Sequence, residues 1–186
     1  LEPFNEATTD YLYGSGVQEG CHFDFSSQIK FIKVLYPILQ KSGLNTIISA
    51  SDETAVWPAG CGFNEYKNAG ILDMVGQWNT HTYWGSNNDR KNFSSLVRGI
   101  GKMLWMSETG SGGTGISGNL SMAQRLIDDI RYIEPDAWLD WQYVEENNDQ
   151  WCMVKGSFSA KTFSKVKNYY IRQHFSRFIS QGYTYI

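Results

Sequence analysis

The stretch "KMLWMSE" (residues 102–108) decides how the chain is read. Met103 to Met106 form a short apolar run that breaks into Ser107-Glu108 and then into glycines, "TGSGGTG" (109–115). A run of this length, bounded by turn residues, reads as a buried strand rather than a helix. Similar runs stand on both sides of it. "GLNTIISAS" (43–51) passes from Leu44, Ile47 and Ile48 into small polar residues, and "MVGQWNTHTYW" (74–84) is rich in β-branched and aromatic types. "AWLDWQYVE" (137–145) is a fourth run, and the opening "LEPFN" (1–5) reads as the tail of a fifth strand.

Amphipathic segments lie between the runs. Residues 27–42 put Ile29, Ile32, Leu35 and Leu39 on one face, with Ser26 or Ser27 as a cap and Gly43 past the end; Pro37 predicts a kink. "SSLVRGIGK" (94–102) is helical in pattern but weakened by Gly99 and Gly101. Residues 122–134 follow Ser121, with Gln124 in the capping-box position, and Pro135 stops them. A last helix over 160–179 carries Phe163, Val166, Tyr170, Phe175 and Phe178. Strand, loop and helix in repetition predict an α/β fold with a parallel sheet. An open doubly wound sheet and a barrel both fit, and both place chemistry at the C-terminal ends of strands. No linker or low-complexity tract interrupts the chain, so residues 1–186 read as a single domain.

Composition narrows the function. Charged residues make up 19% of 186 and the net charge is −3, which gives no footprint for nucleic acid or a membrane surface. No apolar run reaches the roughly 18 residues that span a bilayer. Aromatics are abundant, with 7 Trp, 11 Tyr and 10 Phe; they fit a large core or a cleft lined with flat rings. Cys21, Cys61 and Cys152 lack metal-ligand spacing, and a Cys21–Cys61 bridge and free thiols are both compatible with the sequence. Asn92-Phe93-Ser94 and Asn119-Leu120-Ser121 match the glycosylation pattern and point to a secreted or otherwise extracytoplasmic protein.

The strand ends, read in order, are Asn5-Glu6, Ser51-Asp52-Glu53, His81 to Trp84, Ser107-Glu108 and Trp141-Gln142. Each has an ordinary reading: a glutamate after a strand is commonly a solvated or helix-N-terminal charge, and a lone histidine or tryptophan commonly packs. Together they supply what glycoside hydrolysis needs. One carboxylic acid protonates the departing oxygen, and a second carboxylate attacks the sugar or activates water from the other face.

These residues carry a resemblance. "PFNEA" (3–7), "QEGC" (18–21), "LWMSETG" (104–110) and "YYIRQHFSRFI" (169–179) resemble glycoside hydrolase family 30, in the right order and over nearly the whole chain. The "QEGC" motif is similar to the branch that acts on β-1,6-linked galactan. The resemblance implies a partial (β/α)8 TIM barrel, approximately strands four to eight with their helices, without the first strands or the side β-sandwich. It implies a retaining β-glycosidase with Glu6 as general acid/base and Glu108 as nucleophile. Asn5 would meet the sugar 2-hydroxyl, Glu19 would bind substrate, and Tyr83 would stand near the nucleophile. Trp141 would floor a sugar subsite; His81, Trp84 and Gln142 complete the substrate-binding candidates. No cofactor or metal is implied, and the three histidines are dispersed. Ala7 stands where the family usually has proline. A full barrel takes about 250 residues, so the chain reads as a fragment. Its partners would be a carbohydrate substrate and either the missing N-terminal barrel segment or a second copy.

Two rival enzyme classes are weaker, and a non-catalytic carbohydrate-binding protein is the third alternative. "GSGGTG" (110–115) matches the dinucleotide fingerprint, but the helical pattern waits until about Ser121 and Glu108 would repel a pyrophosphate. Ser107 and His81 are present for a serine hydrolase, but "MSETG" lacks the G-x-S-x-G elbow.

Overall fold

The structure is a computed structural model that describes residues 1–9, 20–110, 113 and 115–184. Its contacts divide the chain into two compact units, Leu1–Ser107 with Tyr132–Trp138, and Glu108–Arg131 with Leu139–Ile186.

The first unit is α/β, as the alternation predicts. In chain order it runs α1 (Phe25–Lys41), β1 (Ser49–Glu53), α2 (Val56–Asn68), a 3-10 turn (Leu72–Met74), β2 (Gln77–His81), α3 (Asn87–Arg98) and β3 (Met103–Glu108); β4 (Ala137–Trp138) follows later. The four strands form one sheet in the order β1-β2-β3-β4. β1 pairs with β2 in parallel, Ser49 opposite Gln77 and Ser51 opposite Asn79. β3 pairs with β4 in parallel, Trp105 opposite Ala137.

The edges of these elements differ from expectation for a physical reason. β1 and β2 are buried at every position although their sequences are Ser-Ala-Ser-Asp-Glu and Gln-Trp-Asn-Thr-His. Apolar Leu44 and Ile47 precede β1 and are exposed, so the apolar-to-polar change does not mark the end of the strand as read from 43–51. "LEPFN" forms no regular strand, because Pro3 has no N–H to give. It nonetheless lies alongside β1: Leu1 N donates to Ile47 O (2.7 Å), Ser49 N to Leu1 O (2.9 Å) and Glu6 N to Asp52 O (2.8 Å).

α2 has no counterpart in the sequence reading. Pro58 falls in its first turn, where the missing N–H costs nothing. Gly60 and Gly62 thin its apolar stripe, which is Val56, Ala59, Phe63 and Tyr66. Gly62 is there for closeness, since a Cβ would lie 2.8 Å from the Phe25 ring and 2.9 Å from Ser51 Oγ. α3 starts at Asn87, seven positions before the expected 94, because Ser86 and Asp89 make a reciprocal capping box. α1 runs through Pro37, capped by Asp24, whose carboxylate accepts from Ser27 N. The core gathers Ile32, Phe63, Tyr66, Trp78, Phe93, Val97, Leu104, Met106 and Ile133, with the Phe63 and Trp78 ring centroids 4.8 Å apart.

The second unit holds most of α4 (Ile116–Tyr132) and a three-stranded sheet, β5 (Val144–Glu146), β6 (Val154–Ser157) and β7 (Thr162–Lys165), followed by α5 (Lys167–Ser176). β6 pairs with β5 in parallel and with β7 antiparallel. The run read as one strand over 137–145 is therefore two pieces in two sheets. The helix expected over 160–179 also divides: Thr162–Lys165 is strand, and Phe163, Tyr170 and Phe178 are exposed. α5 buries Asn168 and Arg172 instead, since Arg172 forms a bidentate pair with Asp140 (2.6 and 2.9 Å) and Asn168 Nδ2 donates to Gln150 O and Cys152 O. α4 begins before Ser121, which lies inside it. The three cysteines are free. Among the described residues no helix is long and apolar enough to cross a membrane.

Candidate active site

Glu6 follows the segment that lies along β1, and its surroundings explain how a loop can hold it still. Its φ is 49°, in the left-handed region that side-chain-bearing residues seldom occupy. Several ties over-determine that conformation. Besides Glu6 N–H to Asp52 O, Thr8 Oγ1 and Thr8 N both donate to Glu53 Oε2 (2.5 and 3.3 Å), and the Thr9 and Thr54 hydroxyls are hydrogen bonded. Phe23 N donates to Ala7 O (2.9 Å). Glu53 is anchored in turn by Gln28 Nε2 (3.2 Å), and Tyr66 Oη donates to Gln28 Oε1 (2.6 Å). Burial pushes the Glu53 carboxyl above the usual carboxylate range, against the pull of its Thr8 and Gln28 hydrogen bonds, and burial likewise raises the Tyr66 phenol.

Glu6 is 2% exposed, and its Oε1 lies 2.7 Å from His81 Nδ1 at the end of β2. The other ring nitrogen of His81, Nε2, lies 3.2 Å from Asp52 Oδ2 at the end of β1. Asp52, at 4% exposure, accepts from Ser107 Oγ on β3 (2.5 Å) through Oδ1, and its own φ is 57°. Glu2 joins the group from the N-terminal segment, taking Asn79 Nδ2 (2.7 Å) on Oε1, while Gln77 Nε2 donates to Asn79 Oδ1 (2.8 Å). Glu2 is exposed as a residue, but the protein desolvates its carboxyl end. That desolvation, and then the Asp52 carboxylate, push its pKa up to about 8. Acidic groups from two segments thus surround one imidazole.

The neighbouring candidates are arranged around this centre. The Tyr83 ring stands edge-on to His81 with centroids 5.9 Å apart. Trp84 is 50% exposed, on a turn held by Arg90 Nη1 donating to Gly85 O (2.8 Å). Asn5 is exposed, and Glu19 lies outside the described residues.

In the second unit, Glu108 is the last residue of β3 and is half-buried. Thr109 and Gly110 follow it, fixed by Arg125 Nη1 from α4, which donates to Thr109 Oγ1 (2.9 Å) and Gly110 O (2.7 Å). Trp141 N donates to Thr109 O (2.7 Å), and the indole is 45% exposed. Gln142 N donates to Trp151 O (2.5 Å). Gly110 admits this approach, because a Cβ there would lie 2.2 Å from Trp141 O. Asp140, beside Trp141, is raised by burial against the pull of Arg172.

Asp52 is the residue that the sequence reading passed over. It stood among the strand ends without being chosen, and neither its left-handed backbone nor its link to His81 is written in the sequence. α4 begins at Ile116, directly after Gly115, so the gap expected between the glycines and the helix, one ground against a dinucleotide site, does not exist. Residues 111, 112 and 114 of that motif lie outside the described ones.

No protein-family model matches the chain. It is 32% identical over 183 residues to an endo-β-1,6-galactanase of Hypocrea rufa, an alignment covering 98% of this chain and 37% of the relative. The chain is a β-1,6-galactanase homologue. The galactanase homologue is also 31% identical over 136 residues to an exo-β-1,6-galactobiohydrolase of Bifidobacterium longum, covering 69% of this chain and 9% of the relative. It superposes on the catalytic domain of the GH30 xylanase C from Talaromyces cellulolyticus with a TM-score of 0.70 at 18% identity, over 97% of this chain and 41% of the xylanase. The fold is that of family 30, of which the homologue spans less than half the chain. The family read from the four motifs is thereby upheld.

Proposed function

We propose that the galactanase homologue contributes the acid/base and nucleophile to a retaining hydrolase of β-1,6-linked galactan. The observation that carries this is the likeness to the Hypocrea rufa endo-β-1,6-galactanase over nearly the whole chain. It is supported by the local setting of each glutamate: Glu6 is tied by its N–H to Asp52 O, and Glu108 ends β3. Glu108 attacks the anomeric carbon while Glu6 gives a proton to the departing oxygen; Glu6 then takes a proton from water, which releases the sugar from Glu108. Asn5, Trp84 and Trp141 offer exposed amide and ring surfaces for the sugar, and Tyr83, Gln142 and Glu19 complete the binding set.

The apolar side chains of Phe31, Val34 and Ile38 on α1, with Leu44 and Ile47, are exposed. Further polypeptide covers them in this reading, either the remainder of a family 30 barrel or a second copy of the chain. An extracytoplasmic location is favoured by Asn92, which is exposed on α3; Asn119 is buried and unavailable for glycosylation.

The test is hydrolysis of β-1,6-galactan with the product anomer followed by NMR. The β-anomer should appear first, and Glu108→Gln should lower turnover by at least about a thousandfold while leaving galactan binding within a few-fold. Near-full activity in Glu108→Gln would overturn the assignment. Galactan binding without cleavage by the unaltered protein would favour a carbohydrate-binding role.

A further inference from the structure

The catalytic pair gives no role to Asp52, although this carboxylate is buried and lies 3.2 Å from the imidazole that touches Glu6. We propose that Asp52 is a positioning residue that holds His81 as an imidazolium whose Nδ1–H is donated to Glu6 Oε1, which orients the acid/base and stabilises the carboxylate formed when it gives up its proton. The catalytic half of this statement rests on the glycosidase reading of Glu6.

The geometry leads there in three steps. A neutral imidazole has one donor and one acceptor, whereas the protonated ring has two donors. Here both ring nitrogens face carboxylate oxygens, Nδ1 at 2.7 Å from Glu6 and Nε2 at 3.2 Å from Asp52. The two-donor form gives each oxygen a donor, whereas a neutral ring with its lone pair at Nδ1 would draw the Glu6 proton onto Oε1, away from the departing oxygen. Asp52 is itself held in place: Oδ1 accepts from the Ser107 hydroxyl, Oδ2 lies 3.2 Å from His81 Nε2, and the Glu2 carboxyl also hydrogen bonds to this carboxylate.

The consequence for Glu6 follows from its two oxygens. With Oε1 accepting from His81, the transferable proton resides on Oε2. Delivering that proton to the glycosidic oxygen creates a negative charge on Glu6, which the Nδ1–H then meets at hydrogen-bond distance. The N-terminal segment brings Glu6 and Glu2 toward the ring, and β1 brings Asp52. β3 contributes Ser107 and ends on Glu108, and the Tyr83 ring stands edge-on.

The experiment reads His81 directly, by NMR of ¹⁵N-histidine-labelled protein, the resonance being assigned by its loss in His81→Gln. In the unaltered protein both His81 nitrogens should show imidazolium shifts at a pH about one unit above the ordinary histidine value of about 6.5. Asp52→Asn should lower the His81 midpoint by about one unit or more, a tenfold change in protonation. It should also cut kcat about tenfold or more, a part of the 10²–10⁴ that acid–base catalysis supplies, with KM held within about twofold. Asparagine tolerates the positive φ at this position. Should Asp52→Asn fail to fold, Ser107→Ala should move the His81 midpoint in the same direction by less. A neutral His81 in the unaltered protein, or an unchanged midpoint in the folded variants, would overturn the proposal. An inactive unaltered protein that keeps the His81 signature would sink the glycosidase reading and leave the Asp52–His81 link standing.

Discussion

Glu53 shows what burial costs a single residue. It is fully buried, and its carboxyl is raised above the ordinary range chiefly by desolvation. The folded state therefore holds its proton to higher pH than the unfolded chain does. Where the folded state binds more protons, stability falls as pH rises. Its contribution is present below the unfolded carboxylate value of about 4.3 and is lost as pH climbs through the raised folded value. Glu53→Gln should flatten that decline in urea-midpoint measurements across the pH range, though its lost acceptor lowers absolute stability by about 1–3 kcal/mol. An unchanged slope would show that the carboxyl does not titrate in this window. Glu6 and Glu108 could be picked out as candidates because each closes an apolar run at a point where a parallel sheet presents chemistry; His81 was read as a substrate-binding candidate, whereas it is buried against Glu6. Asp52 closes a run as well, but its importance lies in distances across three strands, and those are set by the fold.

At the scale of the element, legibility followed the strength of the local pattern. β3 was read to within a residue, because its apolar run has turn residues on both sides. β1 and β2 were read with displaced edges, since fully buried strands whose faces carry Ser, Asn and Thr show no alternation to count. α2 was missed because two glycines and a proline look like loop chemistry when their packing is unknown. The second unit offers a test of one such glycine. Gly110→Ala would place a methyl group 2.2 Å from Trp141 O, a clash with backbone that no rotamer relieves. The substitution should destabilise the protein by about 1–3 kcal/mol, as overpacking typically does, and, under the function proposed above, weaken galactan binding through displacement of Trp141. Denaturant midpoints and a binding isotherm would check both; a variant equal to the parent in each would mean that the two segments can separate without cost.

For the whole molecule, the exposed apolar residues of α1 are where the covering polypeptide proposed above would lie. Single exposed apolar residues are ordinary on a protein surface, but Phe31, Val34 and Ile38 recur at helical spacing on one side. A cysteine placed by Val34→Cys in the folded protein should resist alkylation, while one placed by Ser159→Cys, on an exposed turn, should react readily; site-resolved mass spectrometry separates both from Cys21. Rapid labelling at both positions would remove the covering segment from the account. The α/β class was legible because strand, loop and helix recur along most of the chain, and the family fold was read from the resemblance of the four motifs. The three-stranded sheet was not, because strands of three or four residues leave too short a pattern. Asp52 and Glu6 sit at φ values of 57° and 49°, a backbone that aspartate and asparagine enter more readily than most residues. A column of Asp and Asn at position 52 in an alignment would therefore record a steric filter as much as a chemical one. Evolutionary invariance there becomes informative only where the left-handed turn is kept and the carboxylate is still chosen over its amide.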